Sequence, residues 1–254
     1  MILDAIMGFA VPIALAWWLV KKYKVKLSTI LIGAATFIVF ALILEPILHR
    51  IVLLGPKGET IRNNTLYYAL YGGLAAGFFE ETGRFLSMKF LMKKEPSTVS
   101  PAIAYGAGHG GAEMLIIFGI SMISTLMMAL MINTGQADAI AAKAPAEAQE
   151  QLQAQLAQIQ TASTATYILG LWERISAIIL HLSLSVLVWA AVRKGGRWLL
   201  LFPAAILLHA LVDGVTVVLQ KSMSVVALEA IIFAMALLIA CIAFLVARKM
   251  DKVE

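Results

Sequence analysis

The residues of this chain that could do chemistry are charged side chains and histidines inside long apolar stretches. Two adjacent carboxylates and an arginine, Glu80, Glu81 and Arg84, lie within a hydrophobic run at 65–92. A charge at membrane depth costs free energy, so a helix bundle keeps one only where it faces partners or water inside the bundle. Arg84 is three or four residues from each carboxylate and can pair with either. The other carboxylate must find its partner on another helix.

Three of the four histidines lie in later apolar runs, and two of them have a carboxylate one helical turn away. His109 precedes Glu113 by four residues, and His209 precedes Asp213 by four, so each pair projects from one helix face. The third is His181, which has no such neighbour. A carboxylate one turn away can hold an imidazole in one tautomer and raise its basicity.

The depth of these residues along their helices is similar. Counting from one end of each run at a rise of 1.5 Å puts Glu80 and the three histidines roughly 10–18 Å from the same membrane face. A layer built from four helices is typical of a functional site, although interhelical hydrogen bonds that only stabilise the bundle are the alternative. The fourth histidine, His49, is expected at the membrane interface beside Arg50.

Three imidazoles and a carboxylate that converge inside a bundle fit two kinds of hydrolytic site. In the first, His109, His181 and His209 bind zinc or another divalent metal, which leaves one position for a water molecule. In the second, Glu80 and His109 activate water directly, without a metal. The spacing of the residues is compatible with both.

The composition indicates a polytopic membrane protein. Of 254 residues, 61% are hydrophobic and 14% are charged, and the mean hydropathy is +0.89. The net charge of +5 could suggest nucleic acid, but the basic residues cluster at the ends of apolar runs, as membrane topology requires, so no nucleic-acid partner is expected. The single cysteine, Cys241, excludes an internal disulfide and a thiolate metal cluster.

Seven apolar runs predict an all-α, polytopic transmembrane helix bundle of about seven spans. Their approximate ranges are 2–20, 28–50, 65–92, 102–133, 165–192, 198–220 and 224–247. An N-out, C-in arrangement places 13 lysines and arginines on the cytoplasmic side and five on the other side, which the positive-inside tendency favours. The 13 are Lys21, Lys22, Lys24, Lys26, Lys89, Lys93, Lys94, Arg193, Lys194, Arg197, Arg248, Lys249 and Lys252.

One long polar segment, at 134–164, interrupts what is predicted to be a single membrane-embedded domain over 1–254. Its residues 146–160 are predicted to be helical because alanine and glutamine favour helix. The apolar residues on one face of that helix are Leu152, Leu156 and Ile159. In the N-out topology the segment lies outside the cytoplasm, either as an interfacial amphipathic helix or as a lid over the bundle.

The order of the motifs resembles the CPBP group of intramembrane proteases, which includes the type II CAAX prenyl endopeptidases. The motifs are Glu80-Glu81-x-x-Arg84, Tyr105-x-x-x-His109 and His209-x-x-x-Asp213. The sequence Gly-His-Gly-Gly-x-Glu that ends at Glu113, and Glu173-Arg174 followed by His181, are most similar to the bacterial YhfC-type peptidases. The resemblance covers spans three to six, about half of the chain.

The resemblance implies a membrane-embedded peptidase in a bacterial plasma membrane, with lipid around it and a peptide or membrane protein as its substrate. The role of the catalytic glutamate carries over to Glu80, with Glu81 as the alternative, because the CAAX enzymes space their arginine one residue further along. His109 would activate water together with that glutamate. His209 and Asp213 would bind the oxyanion of the tetrahedral intermediate.

Two other classes of function remain compatible with the sequence. Chains of glutamate and histidine in a bundle also relay protons in ion- or proton-coupled transporters, although the chain has no internal repeat to support that interpretation. A non-catalytic membrane scaffold with a structural polar layer is the second alternative. A cleaved peptide or a tightly bound metal would distinguish the peptidase from both.

Overall fold

The chain is described here by a computed structural model that covers residues 1–250, apart from the side chains of residues 138, 140, 146 and 147. Lys252, one of the basic residues of the predicted cytoplasmic side, lies outside the described residues. The described part contains seven long helical segments and no strand. The seven are α1 (Ile2–Tyr23), α2 (Leu27–Leu53), α3 (Thr65–Phe90), α4 (Ser100–Asn133), α5 (Thr164–Lys194), α6 (Gly196–Leu219) and α7 (Val225–Met250).

Six of these helices are long and apolar enough to cross a membrane, which confirms the predicted all-helical membrane protein. The exception is α3, whose 26 residues are sufficient in length but include the two carboxylates and several glycines. It packs against α2, α5 and α6, so protein covers its polar face. A bundle carries charged groups at membrane depth in this way. Seven spans and the N-out orientation stay predictions.

The basic clusters of the predicted cytoplasmic side meet at one end of the bundle. Lys26, between α1 and α2, places its Nζ 2.9 Å from Oε1 of Glu95, between α3 and α4. Arg193, near the end of α5, donates to the carbonyl of Glu95 at 2.9 Å. The neighbouring Lys194 donates to the carbonyl of Met250 at 3.3 Å. These contacts place four helix connections and ends on one face, as the lysine and arginine pattern predicts.

The glycines of α4 let the backbones of neighbouring helices touch. A Cβ atom built on Gly108 would lie 1.8 Å from the carbonyl oxygen of Ile30 on α2, and one built on Gly33 would lie 2.1 Å from that of Tyr105. Gly110 faces α5, where a Cβ would lie 3.1 Å from a side-chain atom. Small residues at helix contacts are typical of membrane bundles. They bring α2 and α5 close to the polar residues of α4.

Two helices contain a π-helical turn next to a carboxylate. The π-helical segment Phe40–Leu44 of α2 ends directly before Glu45, and the segment Met114–Ile120 of α4 begins directly after Glu113. A π turn shifts the face that the following residues present, and such turns are frequent at functional sites. The helix that covers the predicted span at 102–133 is continuous, and its π-helical turn comes after the glycines in the sequence.

The polar segment between α4 and α5 forms the helices Ala137–Ala141 and Ala146–Thr161, so the helix predicted there is confirmed. Leu156 is buried against Ala137 and Ala141, and Leu152 packs at the edge of this cluster with Met128 and Ile132 of α4. The predicted apolar face therefore docks on the end of α4.

Candidate functional site

Four helices bring Glu80, His109, His181 and His209 together inside the bundle, where all four are buried. The ring centroids of His109 and His181 are 4.9 Å apart, and those of His181 and His209 are 5.5 Å apart. Oε2 of Glu80 lies 2.8 Å from Nε2 of His109 and 3.9 Å from Nδ1 of His181. The depth count along the sequence agrees with this arrangement.

The adjacent carboxylates of α3 face different partners. Glu80 contacts His109 on α4. Glu81 is fully buried, with Oε1 2.9 Å from Nδ1 of His209 on α6 and Oε2 3.2 Å from Nη1 of Arg84. Neighbouring residues of an α-helix point in directions about 100° apart, so α4 and α6 each receive one carboxylate. Arg84 thus pairs with Glu81, and Glu80 is left to the histidines.

His181 has a polar contact at both ring nitrogens. Nη2 of Arg84 lies 3.1 Å from its Nδ1. A guanidinium only donates, so Nδ1 accepts and Nε2 carries the proton in this network. Nε2 lies 2.5 Å from Oε2 of Glu113, whose Oε1 accepts from Nη1 of Arg174 at 2.8 Å. Arg174 also bonds its neighbour Glu173. The chain of partners fixes the orientation and tautomer of the ring.

The pairing of carboxylates with histidines differs in part from the spacing in the sequence. Glu113 was expected to hold His109, one turn before it, but it bonds His181 on α5. Asp213 lies 3.6 Å from Nε2 of His209, as its spacing predicts. Its side chain is more exposed than those of Glu80, Glu81 and Glu113. The rotation of α4 relative to α5 determines the partner of Glu113, because it directs this side chain toward α5.

A cavity of about 290 Å³ connects these groups to further charged residues. Its charged and histidine residues are Glu80, Glu113, Glu173, Arg174, His181, His209, Asp213 and Glu229. The other wall residues belong to α5, α6 and α7; most of them are apolar, among them Leu180, Val212 and Ile232, and Ser176 and Thr216 add two hydroxyls. A pocket with apolar walls and a few convergent polar groups is the usual form of a binding site.

A metal ion fits one part of this cluster. Glu80, His109 and His181 each offer a ligand atom, and these atoms all lie within 4.8 Å of one another. Two imidazoles and one carboxylate are a ligand set of catalytic zinc sites. Nδ1 of His109 is buried without a hydrogen-bond partner among the described residues, which leaves one imidazole nitrogen free. His209, the third imidazole predicted as a ligand, lies outside this group of three and bonds Glu81 instead.

One polar cluster and one single carboxylate of the structure were not identified from the sequence. His49 does not simply lie at an interface: its Nδ1 is 2.9 Å from the hydroxyl of Tyr71, and its Nε2 is 3.1 Å from Oε1 of the buried Glu45. Glu45 precedes His49 by four residues within an apolar run, the same signal that identified the other pairs. Glu229 is a lone carboxylate in the last apolar run, and its position in that run is the only feature of the sequence that could have identified it.

Comparison with known proteins identifies the relatives of this chain. The family model described as YhfC intramembrane metalloprotease matches residues 7–235. The uncharacterized membrane protein YhfC of Bacillus subtilis (strain 168) is 39% identical over 220 residues, which cover 86% of this chain and 83% of the relative. No solved structure matches the chain. The resemblance of the motifs to YhfC-type proteins is therefore confirmed, and the chain belongs to the YhfC intramembrane metalloprotease family.

Proposed function

We propose that this protein is an intramembrane peptidase that hydrolyses a peptide bond with a water molecule activated beside Glu80. The observation that carries the proposal is the 2.8 Å contact between Oε2 of Glu80, which lines the cavity, and Nε2 of the buried His109. A carboxylate paired with an imidazole can take a proton from water and return it to a leaving amine. The name of the family supports the same activity.

In this mechanism Glu80 accepts a proton as the water oxygen attacks the carbonyl carbon of the substrate. The negative charge that develops on the carbonyl oxygen needs a donor in a dry site, where such a contact is strong. A protonated His209, flanked by Glu81 at 2.9 Å and Asp213 at 3.6 Å, would supply an N–H to that oxygen. The proton held by Glu80 then passes to the leaving amine as the C–N bond breaks.

Glu80, His109 and His181 would hold a divalent metal, and zinc suits their ligand types. Bound there, the metal would polarise the substrate carbonyl and lower the pKa of a water molecule. Arg84 and Glu113 orient His181 by bonding its two nitrogens. Because Nδ1 of His181 already accepts from Arg84, ligation through that atom requires the guanidinium to release it. Glu80 is essential in the metal-assisted and in the metal-free version.

The same proposal treats the chain as one membrane-embedded domain in a bacterial plasma membrane, with the 134–164 segment outside the membrane. The docking of Leu156 near the end of α4 supports a fixed position for that segment beside the bundle. Lipid surrounds the protein, and a peptide or membrane protein is the substrate.

The test uses purified protein in detergent with a pool of fluorescent membrane-spanning peptides. The wild type is expected to cleave members of the pool, and Glu80→Gln is expected to lose at least about 100-fold in rate, the usual contribution of a general base. Glu59→Gln, at an exposed position on the short helix Gly58–Asn63, is the matched control and should cleave normally. Equal cleavage by wild type and Glu80→Gln would contradict the proposal.

A further inference from the structure

One carboxylate of the cavity wall has an oxygen without a partner. Glu229, on α7, is only 8% exposed, and its Oε2 is buried without a hydrogen-bond partner in the part of the chain that the structure describes. By contrast, Glu80 bonds His109, and Glu113, whose Oε2 also makes no hydrogen bond, has that atom 2.5 Å from Nε2 of His181 and its Oε1 bonded to Arg174. A buried carboxylate without a partner costs free energy, and membrane bundles keep such groups mainly where they have a function.

The nearest cation is already engaged. Arg174 bonds Glu113 through Nη1 and Glu173 through Nη2, and no ion pair within 4.0 Å joins it to Glu229 among the described residues. Glu173, Arg174 and Glu229 nevertheless line the same cavity. At this end of the cavity, the one arginine of the wall therefore pairs with Glu113 and Glu173 and leaves Glu229 without a counter-charge, which favours a positively charged occupant.

The rest of the wall indicates what kind of cation fits. Ile232 and Ala236, on the next turns of α7, line the cavity together with Leu180 and Val217. A lysine or arginine side chain has an aliphatic stem for such a wall and a charged head for a carboxylate. A small inorganic cation would leave the apolar wall unused. The cavity of about 290 Å³ admits side chains and a short extended segment rather than a folded helix.

The distance between the two ends of the cavity sets the position of this basic residue. Glu173, which lines the cavity together with Glu229, precedes His181 by eight residues on α5. Eight residues of α-helix rise about 12 Å. An extended peptide covers that distance in about three to four residues.

We propose that Glu229 binds a lysine or arginine side chain of the peptide substrate, about three to four residues from the bond that is cut beside Glu80. This inference rests on the proposed peptidase function and deepens it, because it makes Glu229 a specificity-determining residue. The substrate class is then a membrane peptide or membrane protein with a basic residue close to the cleaved bond.

The test measures binding and cleavage separately in the full-length protein. The probe is a series of membrane-spanning peptides in which one lysine moves along an apolar sequence, each peptide paired with its norleucine counterpart. Native mass spectrometry of the protein with each pair reports the ratio of the two complexes, and sequencing of the products locates any cleaved bond. In the wild type the best lysine peptide should be enriched about tenfold over norleucine, the effect of one charge-assisted hydrogen bond.

Variants of Glu229 decide whether this residue is responsible. The isosteric Glu229→Gln should reduce the enrichment to about one, Glu229→Asp should keep part of it, and the exposed control Glu59→Gln should keep all of it. Thermal unfolding of each variant checks that it is folded. If Glu229→Gln does not fold, Glu229→Asp is the variant that tests the proposal.

The two proposals can fail independently. A wild type that shows no lysine enrichment, or an enrichment that survives in Glu229→Gln, overturns the role of Glu229 even where peptides are cleaved. An enrichment that depends on Glu229 without any cleavage supports the cation site and counts against the peptidase. A cleaved bond three to four residues from the preferred lysine supports both.

Discussion

Oε1 of Glu81 lies 2.9 Å from Nδ1 of His209, whereas the preceding residue, Glu80, contacts His109. The two carboxylates of one motif therefore belong to separate networks. Glu81 is fully buried between His209 and Arg84, and Glu80 reaches the cavity. This division favours Glu80 for contact with water or metal and Glu81 for holding the bundle together.

Substitutions of Glu81 and Glu80 should accordingly have two different effects, one on stability and one on activity. Glu81→Gln leaves Arg84 buried without its counter-charge, so we expect a loss of about 3–5 kcal/mol in the free energy of unfolding. Glu80→Gln keeps the isosteric side chain next to His109 and should lose activity at nearly unchanged stability. Thermal unfolding in detergent and peptide cleavage measure the two effects. A stable but inactive Glu81→Gln would assign the catalytic role to Glu81.

Arg84 should be necessary for folding as well as for the site. It is fully buried, 3.2 Å from Glu81 and 3.1 Å from His181, so Arg84→Leu removes the charge that compensates Glu81. The expected loss is again about 3–5 kcal/mol, and Arg84→Lys should recover part of it because one charge but not the planar fork is restored. The measurement is the unfolding temperature of both variants, and a wild-type value for Arg84→Leu would contradict the pairing.

The convergence of Glu80, His109, His181 and His209 could be predicted because depth along a helix follows directly from residue number. Which carboxylate bonds which histidine could not, since that depends on the rotation of one helix against another. Glu113 therefore bonds His181 on α5, although its spacing pointed to His109 on its own helix.

The positions of the helices could also be predicted from the sequence, whereas their irregular turns could not. Apolar length predicted seven long helices, and the α3 helix was found despite its polar residues because the apolar run continues on both sides of them. The π-helical turns at Phe40–Leu44 and Met114–Ile120 have no comparable pattern in the sequence, because they depend on packing between helices. The contact of His49 with Glu45 follows one such turn, and although it was missed, the spacing of four residues within an apolar run could have identified it.

A matched pair of glycine substitutions tests the close contact between α2 and α4. The Cβ of Gly108→Ala would lie 1.8 Å from the carbonyl oxygen of Ile30, so the helices must separate, at an expected cost of about 3 kcal/mol or more. Gly72→Ala, within α3, meets nothing within 4 Å and should be neutral or stabilising by up to about 1 kcal/mol. Unfolding temperatures in detergent compare the two. Equal effects would mean that α2 and α4 are not in backbone contact.

Cysteine labelling tests the orientation of the bundle in the membrane. The native Cys241 is exposed and is first replaced by serine. In that background, Ser97→Cys should react with a membrane-impermeant maleimide only after the cells are permeabilised, and Ala148→Cys should react in intact cells. Both positions are exposed, so accessibility within the protein does not limit the reaction. The reverse pattern would invert the N-out, C-in topology that the basic residues predict.

Metal binding distinguishes the ligand set of the structure from that of the sequence. The group within 4.8 Å consists of Glu80, His109 and His181, so His109→Ala and His181→Ala should lose bound metal. His209→Ala should keep it, because His209 bonds Glu81, and His49→Ala is the control outside the cluster. Elemental analysis of the purified proteins gives the metal content per chain.

The pH dependence of the affinity follows from the same ligands. An imidazole must be neutral to bind a metal, and its ordinary pKa is about 6.5. Protons therefore compete with the metal in acid, and the apparent dissociation constant, measured by competition with a chelator, should rise as the pH is lowered. An equal loss of metal in His209→Ala and His181→Ala would show that the three imidazoles predicted from the sequence are the ligands. A wild type that cleaves peptides with no metal bound would show that Glu80 and His109 activate the water without a metal.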